Sequence, residues 1–219
     1  MSYTHIRTEY NDDKLQQRLT LVNHLTWYEH ANKWDDCFVC GAQVCSKNKT
    51  HYRGHLPADL LIIGEPPTQS DDTLGRPYTE QPESEPIDEM LIQILEYCYQ
   101  HSDVSLPDWC ITSVVACKPI GPIKPIEENC HPRLLELISI CQPKLIVIVG
   151  DRARQISARF TNVSIPVRTI KSPAWMLKQQ NPELEIRKAA LLLAPILVRL
   201  MEQTNVEHEG RKRNECSCD

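Results

Sequence analysis

Between Asp59 and Tyr78 the chain reads D-L-L-I-I-G-E-P-P-T-Q-S-D-D-T-L-G-R-P-Y, an apolar run from Leu60 to Ile63 that ends abruptly at Gly64. Such a run is long enough for a buried parallel strand and far too short for a membrane helix. Glycine at the carboxyl end of a strand accepts backbone angles that other residues resist, and ligands of open α/β sheets sit outside that edge. Pro66 and Pro67 stiffen the turn after Glu65, and Gly75-Arg76-Pro77-Tyr78 brings a cation, a rigid turn and an aromatic ring toward the same place. The stretch predicts a strand end that opens onto a pocket for a flat ligand. An ordinary strand-to-loop junction with a core tyrosine is the alternative.

Three further runs repeat the pattern: Trp109 to Val115, Leu145 to Val149 with Gly150 after it, and the weaker Ile165 to Ile170. Helical spacing separates them. Pro86 starts one helix with apolar positions Ile87, Met90, Leu91, Ile94, Leu95 and Cys98; a second covers about Ile126 to Ile140 and stops at Gln142-Pro143. The last runs from Pro182 to about Met201, capped by Asn181 and kinked at Pro195. Strands alternating with helices predict a mostly parallel sheet covered on both faces. Gly64, Ser113 to Cys117 and Gly150 then lie along one edge, with the loop from Lys171 to Leu177. Residues 1–36 form an N-terminal extension whose apolar rhythm at Leu15, Leu19, Val22, Leu25 and Trp27 suggests a helix laid against the domain. Residues 202–219 read as a charged, disordered tail.

A chain of 219 residues can bury a core without disulfides or metal, so its ten cysteines need another explanation. No signal peptide or membrane-length run is visible, which points to a soluble protein of the cytoplasm or nucleoid. In that reducing setting the cysteines are expected as buried residues or as ligands of a metal or cluster. Cys37-Phe38-Val39-Cys40 presents two thiolates to one ion or cluster, Cys45 is a neighbour able to substitute for either, and a basic loop with Lys47, Lys49, His51, Arg53 and His55 follows. The net charge of −5 requires any nucleic acid to be held through a local basic patch.

The order of these motifs resembles the family 4 uracil-DNA glycosylases, the iron-sulfur branch of that superfamily. The likeness runs from Cys37 to about Leu200. It consists of C-x-x-C, a strand with G-E-x-P, G-R-P-aromatic, I-T-x-V-V-x-C-K-P, a helix cysteine, and a strand with glycine. It implies a three-layer α/β/α sandwich on a four-stranded sheet, and a [4Fe-4S] cluster held by Cys37, Cys40, Cys117 and Cys130. A zinc site made by the same thiolates is the alternative. The resemblance further implies a base pocket made by Gly64, Tyr78 and Ser113, with Tyr78 stacking on a flipped base. Ser113 replaces the asparagine whose amide reads uracil, and Ser172 replaces the histidine that stabilises charge on the departing base. Glu65 would orient water, or else cap a helix. Trp175, Met176 and Leu177 would wedge into the base stack, with Lys171 and Lys178 on phosphates of single- or double-stranded DNA.

Two functions follow from the resemblance. One is a DNA glycosylase that hydrolyses the N-glycosidic bond of uracil or another, modified base through an altered pocket. The other is a glycosylase fold kept for binding DNA or a partner, with catalysis lost; the N-terminal extension and the tail are the segments open to a protein partner. A zinc protein unconnected with DNA is a third and weaker reading.

Overall fold

Alternating apolar side chains on short strands must be covered on both sides, and the computed structural model shows how. It describes residues 27–79, 93–94, 96–97, 107–122, 124–157 and 165–215, with backbone alone for residues 43, 152, 156–157 and 200–215. The strands are β1 (Arg53–Gly54), β2 (Leu60–Gly64), β3 (Trp109–Ser113), β4 (Leu145–Val149) and β5 (Val167–Ile170). The helices are α1 (Trp27–Asp35), α2 (Gln69–Leu74), α3 (Lys124–Cys141), α4 (Asp151–Ser157), α5 (Pro173–Leu177) and α6 (Pro182–Glu215). The strands lie in the order β1-β3-β2-β4-β5, the last four mutually parallel and β1 antiparallel to β3.

Period-two alternation divides the core into two layers. Leu61, Ile63, Cys110, Ile146 and Ile148 face one side, where Leu134, Leu137, Ile138 and Cys141 of α3 and Ala153 of α4 cover them. Leu60, Ile62, Ile111, Leu145, Val147 and Val149 face the other, against Met176 of α5 and Ala189, Ala190, Leu193 and Leu197 of α6. Each large aliphatic side chain buried this way contributes about 1.5–3 kcal/mol of transfer free energy. The three-layer α/β/α architecture expected from the motif order is therefore present.

Several boundaries differ from expectation. The sheet has a fifth strand: β1 is only two residues long, too short to leave a period, and Gly54 at φ 101° lets it lie over Trp109, where a β-carbon would collide. The second and fourth predicted strands keep their cores but lose an end each, β3 stopping at Ser113 and β5 starting at Val167. Pro173 to Leu177, read as loop, forms helix α5. Helix α6 continues past Met201 through the segment expected to be a disordered tail, because its Glu, Gln, Lys and Arg residues are good helix formers as well as charged. The helix predicted from Pro86 lies mostly outside the described residues, as do Cys98, Cys216, Cys218 and residues 1–26 of the extension; residues 93–94 and 96–97 are helical, and Ile94 is fully buried.

Helix α1 docks on α3 through one carboxylate. Glu136 accepts a hydrogen bond from Trp34 Nε1 at 2.7 Å, pairs with Lys33, and lies 3.4 Å from Nδ1 of the buried His30. Burial pushes Glu136 up, but the bonds from Lys33 and Trp34 outweigh it and hold the carboxyl below its usual range. Burial, with the charges of Arg133 and His51, lowers His30 to about 4 against a weaker upward pull from Glu136. The folded state thus keeps His30 neutral while the unfolded chain, near 6.5, takes up a proton. The unfolded state binds the extra proton between these values, so stability is full above about pH 6.5 and falls as pH drops toward 4, by roughly 3 kcal/mol over the window. Urea unfolding from about pH 7 to about pH 4 should show this loss, and His30→Gln should flatten it. An equally steep profile in that variant would place the acid sensitivity elsewhere.

Candidate active site

The register of the sheet brings the strand ends together. Gly64 pairs with Ser113, Ile63 with Ile148, and Val149 with Ile170, while Gly150 donates its N–H to the Ile170 carbonyl at 2.9 Å. From β2 the chain passes to β3 on one side, and from β4 to β5 on the other. The carboxyl ends of β2 and β4 therefore form a topological switch point, the crevice where ligands of open α/β sheets bind.

Two glycines make room for two side chains there. A β-carbon on residue 64 would collide with the ring and hydroxyl of Tyr78, and one on residue 150 would collide with the Glu65 carboxylate. Gly150 also sits at φ 98°, where a side chain is strained. Tyr78 itself holds φ 50°, an uncommon angle for a bulky residue, and its hydroxyl accepts a hydrogen bond from the Glu65 N–H at 3.3 Å. Ser113 is buried and, opposite Gly64 in register, shares the face of the sheet that Tyr78 covers.

The turn between Glu65 and Tyr78 is fixed from within. Thr68 caps α2 in a reciprocal capping box with Asp71, so the cap is Thr68 and not Glu65. Asp71 also accepts from the N–H and hydroxyl of Thr79, both at 3.1 Å, which ties down the residue after Tyr78. Its neighbour Asp72 is buried and turns the other way: it accepts from Ser46 Oγ, from the Lys47 N–H at 3.1 Å and from the Asn48 N–H at 3.4 Å. Burial raises its pKa, but these bonds outweigh that and keep it ionised below the usual carboxylate range. Ser46 Oγ in turn accepts from the Lys118 N–H at 3.3 Å.

On the fourth strand end, Ser172 is the N-cap of α5, its Oγ accepting from the Trp175 N–H at 3.3 Å with Pro173 following it. Helical spacing turns Met176 into the core at 2% exposure, and Leu177 is partly buried against the same layer. Of the three residues expected as a wedge, Trp175 is the exposed one, at 38%. Lys171 Nζ lies 3.0 Å from one Asp151 oxygen and 5.5 Å from the centre of the Trp175 ring, so an acidic side chain already neutralises its charge. Lys178 is exposed at the end of α5.

Behind β3, on the α3 side of the sheet, Cys37, Cys40, Cys117 and Cys130 line one pocket with Trp34, Lys49, Ala116, Ile126 and Arg133. Burial and the neighbouring Cys130 thiol push Cys117 up to about 11; Lys49 opposes this, and Cys40 and Cys37 add to it. Cys45 is exposed and does not line the pocket. Among the described residues no group of three or more His, Cys, Asp or Glu side chains is arranged to hold a single metal ion.

Residues 51–193 match the uracil DNA glycosylase superfamily. The chain belongs to that superfamily. It is 24% identical over 175 residues to the Type-4 uracil-DNA glycosylase of Sulfurisphaera tokodaii, a match covering 76% of each chain. It is 29% identical over 118 residues to that of Pyrobaculum aerophilum, covering 52% of this chain and 56% of the relative. With the Thermotoga maritima enzyme of the same description it shares 27% identity over 132 residues, 59% of this chain and 64% of that one. The matched region is thus little more than half of one relative's length and three quarters of another's.

Within this member of the superfamily, sequence reasoning overlooked the capping role of Thr68, although T-x-x-D before a helix is a recognisable signal, and the buried Arg133, for which no local signal exists. The two glycine contacts give a direct test of the edge. Gly64→Ala should displace the Tyr78 ring and cost about 1–3 kcal/mol by overpacking. Gly150→Ala should cost a similar roughly 1–3 kcal/mol through its strained backbone and push Glu65 aside. Thermal melts and a crystal structure of each variant would check this; an undisturbed Tyr78 in Gly64→Ala would contradict the packing described.

Proposed function

We propose that this protein is a DNA glycosylase that hydrolyses the N-glycosidic bond of uracil or another, modified base, and that it carries a [4Fe-4S] cluster. The observation that carries the reading is the convergence of Tyr78, Glu65 and Ser113 at the topological switch point, held there by Gly64 and Gly150. Tyr78 offers a ring face to a flipped base. Ser113 contacts the base edge with a hydroxyl, which cannot reproduce the paired donor and acceptor of an amide and so favours a base read differently from uracil. Glu65 orients a water whose oxygen bonds to the sugar carbon as the carbon–nitrogen bond breaks. The bonding electrons pass to the base, and the proton released from water goes to the carboxylate or to the departing base. The Ser172 hydroxyl hydrogen can still point at that base while its oxygen accepts from Trp175 N–H. Trp175 serves as the wedge and Lys178 as the phosphate contact, with Lys171 available once a phosphate replaces Asp151.

The donor set in the rear pocket fits a cluster. Four thiols at one site suit it, and a cubane takes each thiolate on a different iron. A zinc ion is the alternative occupant, and it would draw all four sulfurs to about 2.3 Å from a single point. When bound, the group would contribute folding stability and a redox-active charge behind β3. One observation favours the binding-module reading instead: the residue in the place of the family histidine is a helix cap, a structural duty independent of chemistry.

Base release from oligonucleotides carrying uracil or a panel of modified bases, scored as abasic sites, tests the choice. Release by the wild type, abolished in Tyr78→Ala, is the expected outcome. Ser172→His should raise uracil release by about a hundredfold, the usual effect of one transition-state donor. DNA binding without release from any substrate would leave the binding module standing. Protein purified without oxygen should be brown and contain iron and sulfide, and Cys117→Ser should lose most of both. A colourless protein holding zinc would exclude the cluster.

A further inference from the structure

Arg133 is the largest fully buried side chain among the described residues, 0% exposed on α3. Its Nη1 donates to the His51 carbonyl and to Thr112 Oγ1, both at 3.3 Å, and its Nη2 to the Ser113 carbonyl at 2.7 Å. No carboxylate among the described residues forms an ion pair with it, and its Nε is buried with no hydrogen-bond partner. A guanidinium does not release its proton inside a protein, so this is a permanent buried positive charge. Carbonyl dipoles offset part of the desolvation cost and leave the rest uncompensated. The same side chain lines the pocket of Cys37, Cys40, Cys117 and Cys130. Thiolates gathered there would supply the missing negative charge.

We propose that Arg133 is the counter-cation of the cysteine-bound centre and, through its bond to the Ser113 carbonyl, a positioning residue that ties that centre to the base pocket. The proposal rests on the cluster reading above. Four thiolates give a cluster a net negative charge, and one-electron reduction makes it more negative; a fixed cation beside it favours the reduced form and raises the potential. The Nη2 bond pins the carboxyl end of β3, where Ser113 lies opposite Gly64. Loss of Arg133 should therefore be felt at both ends: loss of its charge as a redox change behind the sheet, and loss of its fork as poorer base handling at the edge.

The test uses the full chain, purified and loaded without oxygen, as wild type, Arg133→Met and Arg133→Lys. Anaerobic titration with dithionite and mediator dyes should show Arg133→Met lowering the reduction equilibrium constant at least tenfold, about 59 mV for a one-electron couple. Arg133→Lys, which keeps the charge and loses the fork, should stay near the wild-type midpoint yet release base more slowly. Melting separates a counter-charge from a brace. Iron-free Arg133→Met should be at least as stable as iron-free wild type, because an unpaired charge is gone, whereas the iron-loaded variant should melt below iron-loaded wild type. An unmoved midpoint in Arg133→Met, or equal destabilisation of its loaded and iron-free forms, would overturn the proposal and leave Arg133 a brace. Should Arg133→Met hold no iron, retention by Arg133→Lys supports the counter-charge, and equal loss in both overturns it. Wild type without iron and sulfide defeats the cluster reading itself, a result distinguishable from a loaded wild type whose potential ignores residue 133.

Discussion

Strand β2 is hydrogen-bonded along both edges and buried along its whole length, and the rest of the molecule is placed by that pairing. A one-residue slip would send Leu60 and Ile62 to the wrong layer, so the core itself forbids it. With the register fixed, Gly64 must lie opposite Ser113, and Glu65 must emerge beside Gly150. The pocket is thus a by-product of core packing: the side chains of Glu65 and Tyr78 take no part in the strand pairing, and the sheet brings them together regardless. This is why a pocket can change its chemistry across a superfamily while the scaffold persists.

The two chemical regions lie on different layers of the sandwich and meet in one strand. Ser113 faces the layer that Tyr78 covers, while Thr112, one residue earlier, faces α3 and bonds Arg133. Cys117 follows four residues after Ser113, beyond a bend, and lines the pocket behind the sheet. A segment of six residues therefore carries a serine at the sheet edge, a hydroxyl bonded to the buried Arg133 and a cysteine of the rear pocket. The chain has little freedom to alter one without disturbing the next.

How much of this was legible depended on how local each determinant is. β2, β3 and β4 were readable because each is built on a largely apolar run ending at a turn, whereas β5, with Arg168 and Thr169 inside it, gave the weaker signal; the faces of Leu60 to Ile63, all apolar, are told apart only by the packed layers. β1 was not, since two residues carry no period and the strand exists through a contact of Gly54 with Trp109, distant in sequence. The stretch from Lys171 to Leu177 reads as a loop because a five-residue helix is too short to show a period, although serine followed by proline marks a helix start. Met176 looked like a wedge residue until that helix turned it inward. The charged residues after Met201 were read for their solubility when their helix propensity decided the backbone. Arg133 had no signal at all: its partners lie 82 and 20 residues away, and only the fold makes a buried cation tolerable.

Asp72 joins three segments that are far apart in sequence: α2, the loop at Ser46 to Asn48, and through Ser46 the turn at Lys118. The Cys37–Cys40 region and the turn that delivers Tyr78 are therefore not independent modules. A cysteine loop transplanted from a relative, or this one moved into another scaffold, would arrive without the carboxylate that shapes it. Its exchange as a cassette would require α2 to travel with it.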